Sequence, residues 1–187
     1  MISLIIFCLL ISIVCSVLCV DEDPTNEFVG IEKGGTIALT PTGICIEDKD
    51  YDGVFQKYKN EKGKAILCLY VDGDVECGPA GNMKVWKKED LPEHNVHLLL
   101  AKNESCTDSL FEVNSISIFK KGCYYNEEEQ LYEKTNIRDN FIQFDLYKDS
   151  QCTELVYENA EEDYLKNIPC GSCIDGMTFF CEPLFLY

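Results

Sequence analysis

Apolar residues along the chain come in short runs broken by Gly, Asn, Asp and Pro, and no long stretch keeps a helical period. TIALT (36–40), MKVWK (83–87), NVHLLLA (95–101) and SISIF (115–119) read as strands, the last with clean alternation. KAILCLYV (64–71) is apolar almost throughout, as a strand with neighbours on both sides should be, and Asp-Gly-Asp ends it. CYY, QLYEK, FIQFDLY (141–147), ELVYE, MTFFC and LFLY continue the series to the C-terminus. The best helix candidate is ENAEEDYLKNI (158–168), one or two turns long. Such spacing predicts an all-β, mostly antiparallel protein, sandwich-like or a meander, with little helix after the N-terminal leader.

One phrase recurs inside this pattern. LAKNESC (100–106) and LYKDSQC (146–152) each run from an apolar strand end through Lys and Asn or Asp to a Cys, then Thr and an acidic residue. LYVDGDVEC (69–77) is a third, slightly longer version. Residues 43–77 can be laid over 121–152, with Cys45 on Cys123 and Cys77 on Cys152. A strand end, an Asx-type turn and a stapling cysteine explain the phrase. It predicts internally duplicated β units, with related halves at 29–105 and 106–187.

Residues 1–20 carry no charge, and Asp-Glu-Asp-Pro follows at once. An apolar run that begins at the first Met and stops there reads as a secretory signal peptide rather than a retained anchor. Two cuts fit, after Ser16 and after Cys19; the expected division is a signal at 1–19 and a secreted domain at 20–187. The export reading makes the protein extracellular or vesicular, with no membrane span after cleavage. It also makes the cysteines disulfide candidates: Cys45, Cys68, Cys77, Cys106, Cys123, Cys152, Cys170, Cys173 and Cys181. A cut after Ser16 would add Cys19 and allow complete pairing; a cut after Cys19 would leave one thiol over.

The formal charge of −17 repels nucleic-acid phosphates and anionic lipid. A basic protein surface or a cation remains compatible with it. DKDYDG places Asp48, Asp50 and Asp52 at the first three ligand positions of a calcium loop, but Lys59 stands where the bidentate Glu belongs. The expectation is at most a weak calcium site, the alternative an acidic hairpin loop; no other cofactor is expected. CGSC (170–173) lacks the following helix of a redox motif and a downstream His for a cysteine nucleophile, so Cys170 and Cys173 are read as structural. His94 and His97, three apart in an extended segment, should point to opposite faces and so make a poor metal pair. Asn103, in Asn-Glu-Ser, is the N-glycosylation acceptor.

The resulting expectation is a cysteine-rich, non-enzymatic binding protein for a protein or carbohydrate ligand outside the cell. A small secreted hydrolase or a protease inhibitor, with 78–95 or 124–140 as its rigid loop, is the alternative. A calcium-dependent surface protein is the third reading.

Overall fold

The computed structural model describes residues 19–22, 27–48, 50–102, 105, 106, 109, 112–157 and 167–182. Sixteen strands fill most of this: β1 (Glu27–Lys33), β2 (Thr36–Pro41), β3 (Cys45–Glu47), β4 (Phe55–Glu61), β5 (Lys64–Val71), β6 (Asp74–Pro79), β7 (Lys84–Lys87) and β8 (His94–Ala101) come first. After them come β9 (Val113–Lys120), β10 (Tyr124–Asn126), β11 (Leu131–Arg138), β12 (Phe141–Tyr147), β13 (Leu155–Tyr157), β14 (Ile168–Pro169), β15 (Cys173–Ile174) and β16 (Met177–Phe180). A 3-10 turn, Lys88–Asp90, links β7 to β8. The class is therefore all-β, and every strand pair is antiparallel.

Among the described residues the strands form three sheets. Seven strands lie in the order β15-β16-β8-β9-β2-β1-β7. β3-β4-β5-β6 and β10-β11-β12-β13 are separate meanders, and β14 adds to β12. In the seven-stranded sheet the hairpin β1–β2 meets the hairpin β8–β9 at the junction of β2 with β9. There Ile37 lies opposite Ile118 and Leu39 opposite Ile116. All four are at most 1% exposed, and they join Phe28, Leu99 and Val113 in one apolar cluster. Burial of four such side chains is the principal favourable term at this seam, at roughly 1.5–3 kcal/mol each.

A second cluster lies between sheets. Val96 and Phe179 of the large sheet pack with Ile142 and Ile168 of the second meander, and Phe119 meets Phe144 edge to face at 5.0 Å. Ile142 and Phe144 alternate with polar residues along β12, so one face turns to the core. Ile168 at the end of the expected helix is in strand β14; residues 158–166 lie outside the described residues. β4 is the strand least visible in the sequence. It carries only Phe55 and Tyr58 as large apolar groups, and its buried residue is Lys57.

The central hairpins of the two meanders, β4–β5 and β11–β12, share a register. Lys57 faces Cys68 as Lys134 faces Asp145, and Phe55 faces Tyr70 as Tyr132 faces Tyr147. Both central hairpins turn through two residues of positive φ: Lys62 and Gly63 at 54° and 82°, Asp139 and Asn140 at 51° and 67°. That pair of left-handed residues is what a two-residue hairpin needs to follow the strand twist. The expected boundary at 105/106 falls in the connection between β8 and β9.

Ten cysteines form five bridges: Cys19–Cys45, Cys68–Cys77, Cys106–Cys173, Cys123–Cys152 and Cys170–Cys181. Cys19, which the expected boundary at 19/20 places in the leader and a cut after Ser16 would keep, is bonded to Cys45. Cys77 and Cys152, which align in sequence, take partners of different kinds: Cys77 bonds straight across the ladder to Cys68, whereas Cys152 reaches back to Cys123. Asp145 occupies the position equivalent to Cys68, so no cross-strand bridge can form there.

Candidate functional site

The acidic loops repeat a local device. Asp48 Oδ1 accepts the backbone N–H of Asp50 at 2.9 Å, and Asn126 Oδ1 accepts that of Glu128 at 3.0 Å. The second side-chain atom anchors the following strand. Gln56 donates to Asp48 Oδ2 at 2.7 Å, while Asn126 donates to Glu133 Oε2 at 2.9 Å, so donor and acceptor have changed places. Asp48 thus spends both carboxylate oxygens on its own loop. Among the described residues no group of three or more His, Cys, Asp or Glu side chains converges as a metal site, and Asp50 and Asp52 are exposed.

Each loop borders a groove. The first, about 530 Å3, is lined by Cys19, Asp21, Cys45, Glu47, Asp48 and Lys102. The chain's own N-terminal stretch forms one wall of it. Asp21 accepts the backbone N–H of Cys45 at 2.6 Å, and Glu22 N–H donates to the carbonyl of Gly43 at 2.9 Å. Buried Lys57 donates to the carbonyl of Val20 at 2.8 Å and to Glu22 at 2.6 Å. The hydrogen bond from Lys57 holds the Glu22 carboxyl below its ordinary range.

The second groove, about 650 Å3, lies where the tip of the β1–β2 hairpin meets the β10–β11 hairpin. Gly34 and Gly35 form the tip. Gly34 has φ of 55°, and a Cβ there would stand 2.9 Å from the Tyr125 carbonyl oxygen. A Cβ on Gly35 would press to 3.2 Å on the Tyr124 ring. The left-handed φ and the backbone contact require glycine at 34, while a side chain at 35 would have to displace the Tyr124 ring by a few tenths of an ångström. Exposed Ile31 and Tyr125 line the groove beside Tyr124, Glu127, Glu128 and Glu133. Tyr125 packs edge to face on Tyr132 with centroids 5.3 Å apart. Lys120 Nζ sits 4.1 Å from the Tyr124 ring centroid and bonds Glu32 at 2.7 Å. Lys33 bridges to Glu128 at 2.6 Å, and this hydrogen bond lowers the Glu128 carboxyl and raises the Lys33 amine. Neither groove is lined by a histidine or a serine.

The two histidines lie elsewhere and differ from expectation. Pairing shifts between His94 and Val96, so β8 bulges there. One extra residue reverses the alternation. The rings of His94 and His97 consequently sit on one face, 6.5 Å apart and edge to face. His97 is 4% exposed, stacks on Phe180 at 4.7 Å, and donates from Nδ1 to the carbonyl of Glu182 at 2.8 Å. Burial pushes its pKa down to about 4, with the neighbouring His94 adding to the effect and the Glu182 hydrogen bond opposing it.

Of the remaining expected sites, Cys170 bonds Cys181 and Cys173 bonds Cys106, so both sulphurs of CGSC are in bridges. Asn103 lies outside the described residues. Segments 78–95 and 124–140 hold the end of β6, β7, the 3-10 turn and the start of β8, and β10 and β11, respectively, with turns between them. The tyrosine groove was not visible in the sequence; the adjacent Tyr124 and Tyr125 beside a run of Glu was the signal available. No helix among the described residues is long and apolar enough to cross a membrane. No family model, no curated protein and no solved structure matches the chain.

Proposed function

We propose that this is a secreted, non-enzymatic binding protein, built from a duplicated β unit, that takes its ligand in the groove between the β1–β2 tip and the β10–β11 hairpin. The observation that carries the reading is the exposed tyrosine face at the glycine tip, because an aromatic surface standing over a preformed groove is what recognition sites use. Five bridges support the export part, since such a density persists in oxidising compartments. The leader is cut upstream of Cys19, after Ser16, which keeps the Cys19–Cys45 bridge and leaves no spare thiol among the ten remaining cysteines. Asn103 carries an N-glycan in this reading.

Two measurements test it. Non-reducing peptide mapping of secreted protein should find Val17 at the N-terminus and a Cys19–Cys45 peptide; a mature chain starting at residue 20 defeats the processing step. An array of extracellular proteins and glycans, probed with wild type and Tyr125→Ala, should show a signal that the variant loses. If every signal survives the substitution, the groove is not the binding site.

A further inference from the structure

We infer that the groove's partner is an extended basic peptide segment of another protein, an inference that rests on the binding reading above. Three observations converge. The first groove shows that an edge strand here accepts extended chain: residues 19–22 lie against β3 and form one wall of that groove. The wall of the second groove beside β10 is the β1–β2 tip, and beyond it Tyr125 stays 44% exposed. The charge of a segment laid in the second groove must differ from that of 19–22. Segment 19–22 is acidic and meets Lys57 and Lys102, whereas the open groove presents Glu127, Glu128 and Glu133 against a single lysine, Lys33, which Glu128 already holds.

The third observation concerns the rings. Tyr124 already takes an ammonium group on its face, from Lys120. Tyrosine faces attract cations through the ring quadrupole, and a carboxylate nearby adds to the attraction. Tyr125, fixed edge to face by Tyr132, offers the same kind of face to solvent with Glu127 beside it. An arginine or lysine side chain laid on Tyr125 would repeat the arrangement that Lys120 makes with Tyr124. Alternate apolar residues of the same segment would cover Ile31. A negative chain overall then speeds the encounter.

The test uses the secreted protein and three fluorescein-labelled nonapeptides: alternating Lys-Leu, alternating Glu-Leu, and alternating Ser-Leu, read by fluorescence anisotropy at physiological salt. The Lys-Leu peptide is expected to bind, and the other two at least tenfold more weakly. Tyr125→Ala combined with Glu127→Lys should weaken it at least tenfold, and Tyr125→Phe, which keeps the ring, less than twofold. Glu76→Lys, an equal charge change on the exposed edge strand β6, should also cost less than twofold. Equal binding of the Glu-Leu or Ser-Leu peptide overturns the inference, and so does a loss at Glu76→Lys as large as that of the groove variant. If array ligands lost on Tyr125→Ala prove to be acidic or neutral, the basic-segment inference falls while the groove remains a binding site. If no ligand depends on Tyr125, both fall together.

Discussion

The two meanders share a register yet hold their buried polar positions by different means. In β3–β6 the pair Lys57–Cys68 is sealed from outside. Cys68 bonds Cys77 across the ladder, and Lys57 is capped by residues 20 and 22, which the Cys19–Cys45 bridge holds in place. In β10–β13 the same pair is Lys134–Asp145, and Asp145 is fully buried. Its Oδ2 accepts from Asn136 at 2.7 Å, from Arg138 at 2.8 Å and from the Tyr147 hydroxyl at 3.4 Å, while Oδ1 has no hydrogen-bond partner. One frame therefore tolerates either a covalent staple or a polar network at one position. The backbone ladder sets the frame, and the side-chain chemistry of a single cross-strand site is free to change.

Bridge removal should separate the two meanders most strongly. Cys123–Cys152 spans 29 residues and Cys68–Cys77 spans 9. Chain-entropy arguments give a loss of about 3.5 kcal/mol for replacing the first pair by Ala and about 2.5 for the second. Urea unfolding of the two double variants measures this, and a reversed order would show that the short staple supports the first meander in some way other than loop closure.

Acid should act through His97 as well as through carboxylates such as Glu22 and Glu32, which their lysine partners hold low. His97 has a folded pKa of about 4 against 6.5 unfolded, so below pH 6.5 the unfolded chain takes up the proton first. The stability tied to neutral His97 is complete above pH 6.5 and falls by about 3 kcal/mol as the pH drops to 4. Thermal melts across this range should show the loss, and His97→Phe should flatten that part of the profile. A profile unchanged by His97→Phe assigns the acid sensitivity to the carboxylates instead.

Asp145→Ala should cost about 2–3 kcal/mol, because it strips Arg138 and Asn136 of their shared acceptor. Lys57→Met should cost less, about 1 kcal/mol: its partner Glu22 is mostly exposed and regains water, and the methylene stem stays packed. Equal losses in the two variants would mean that the N-terminal stretch is held as firmly as the polar network.

The smallest effects belong to the loop anchors. Asp48→Ala and Asn126→Ala should each lose about 1 kcal/mol. Asp48→Asn should be nearly neutral, since Gln56 can turn its amide to present the acceptor, as Glu133 does to Asn126. Millimolar calcium should leave the melting temperature of wild type and Asp48→Asn alike. A calcium-dependent rise in wild type that the variant lacks would restore the ion-binding reading of Asp48, Asp50 and Asp52.

Much of the fold was legible along the chain. KAILCLYV and FIQFDLY coincide with β5 and β12 to the residue, because a run of β-branched, aromatic and leucine side chains closed by turn residues leaves little choice of period. The stretches 43–77 and 121–152 fall within the two meanders, the second ending before β13, and what they share is turn chemistry and alternation, which are local. β4 escaped notice because a buried lysine breaks its apolar pattern, and the groups that satisfy Lys57 lie 35 and 37 residues away in the chain.

Strand type, turn positions, the acidic surface and the supply of cysteines were determined by the sequence itself, since each depends on neighbours a few residues apart. Bridge partners, the bulge that turns His94 and His97 to one face, the burial of Asp145 and the tyrosine groove were decided only by tertiary structure. Each of these requires groups from distant segments to arrive at one place, and that arrival is fixed by sheet register and packing, which no short stretch of residues encodes alone.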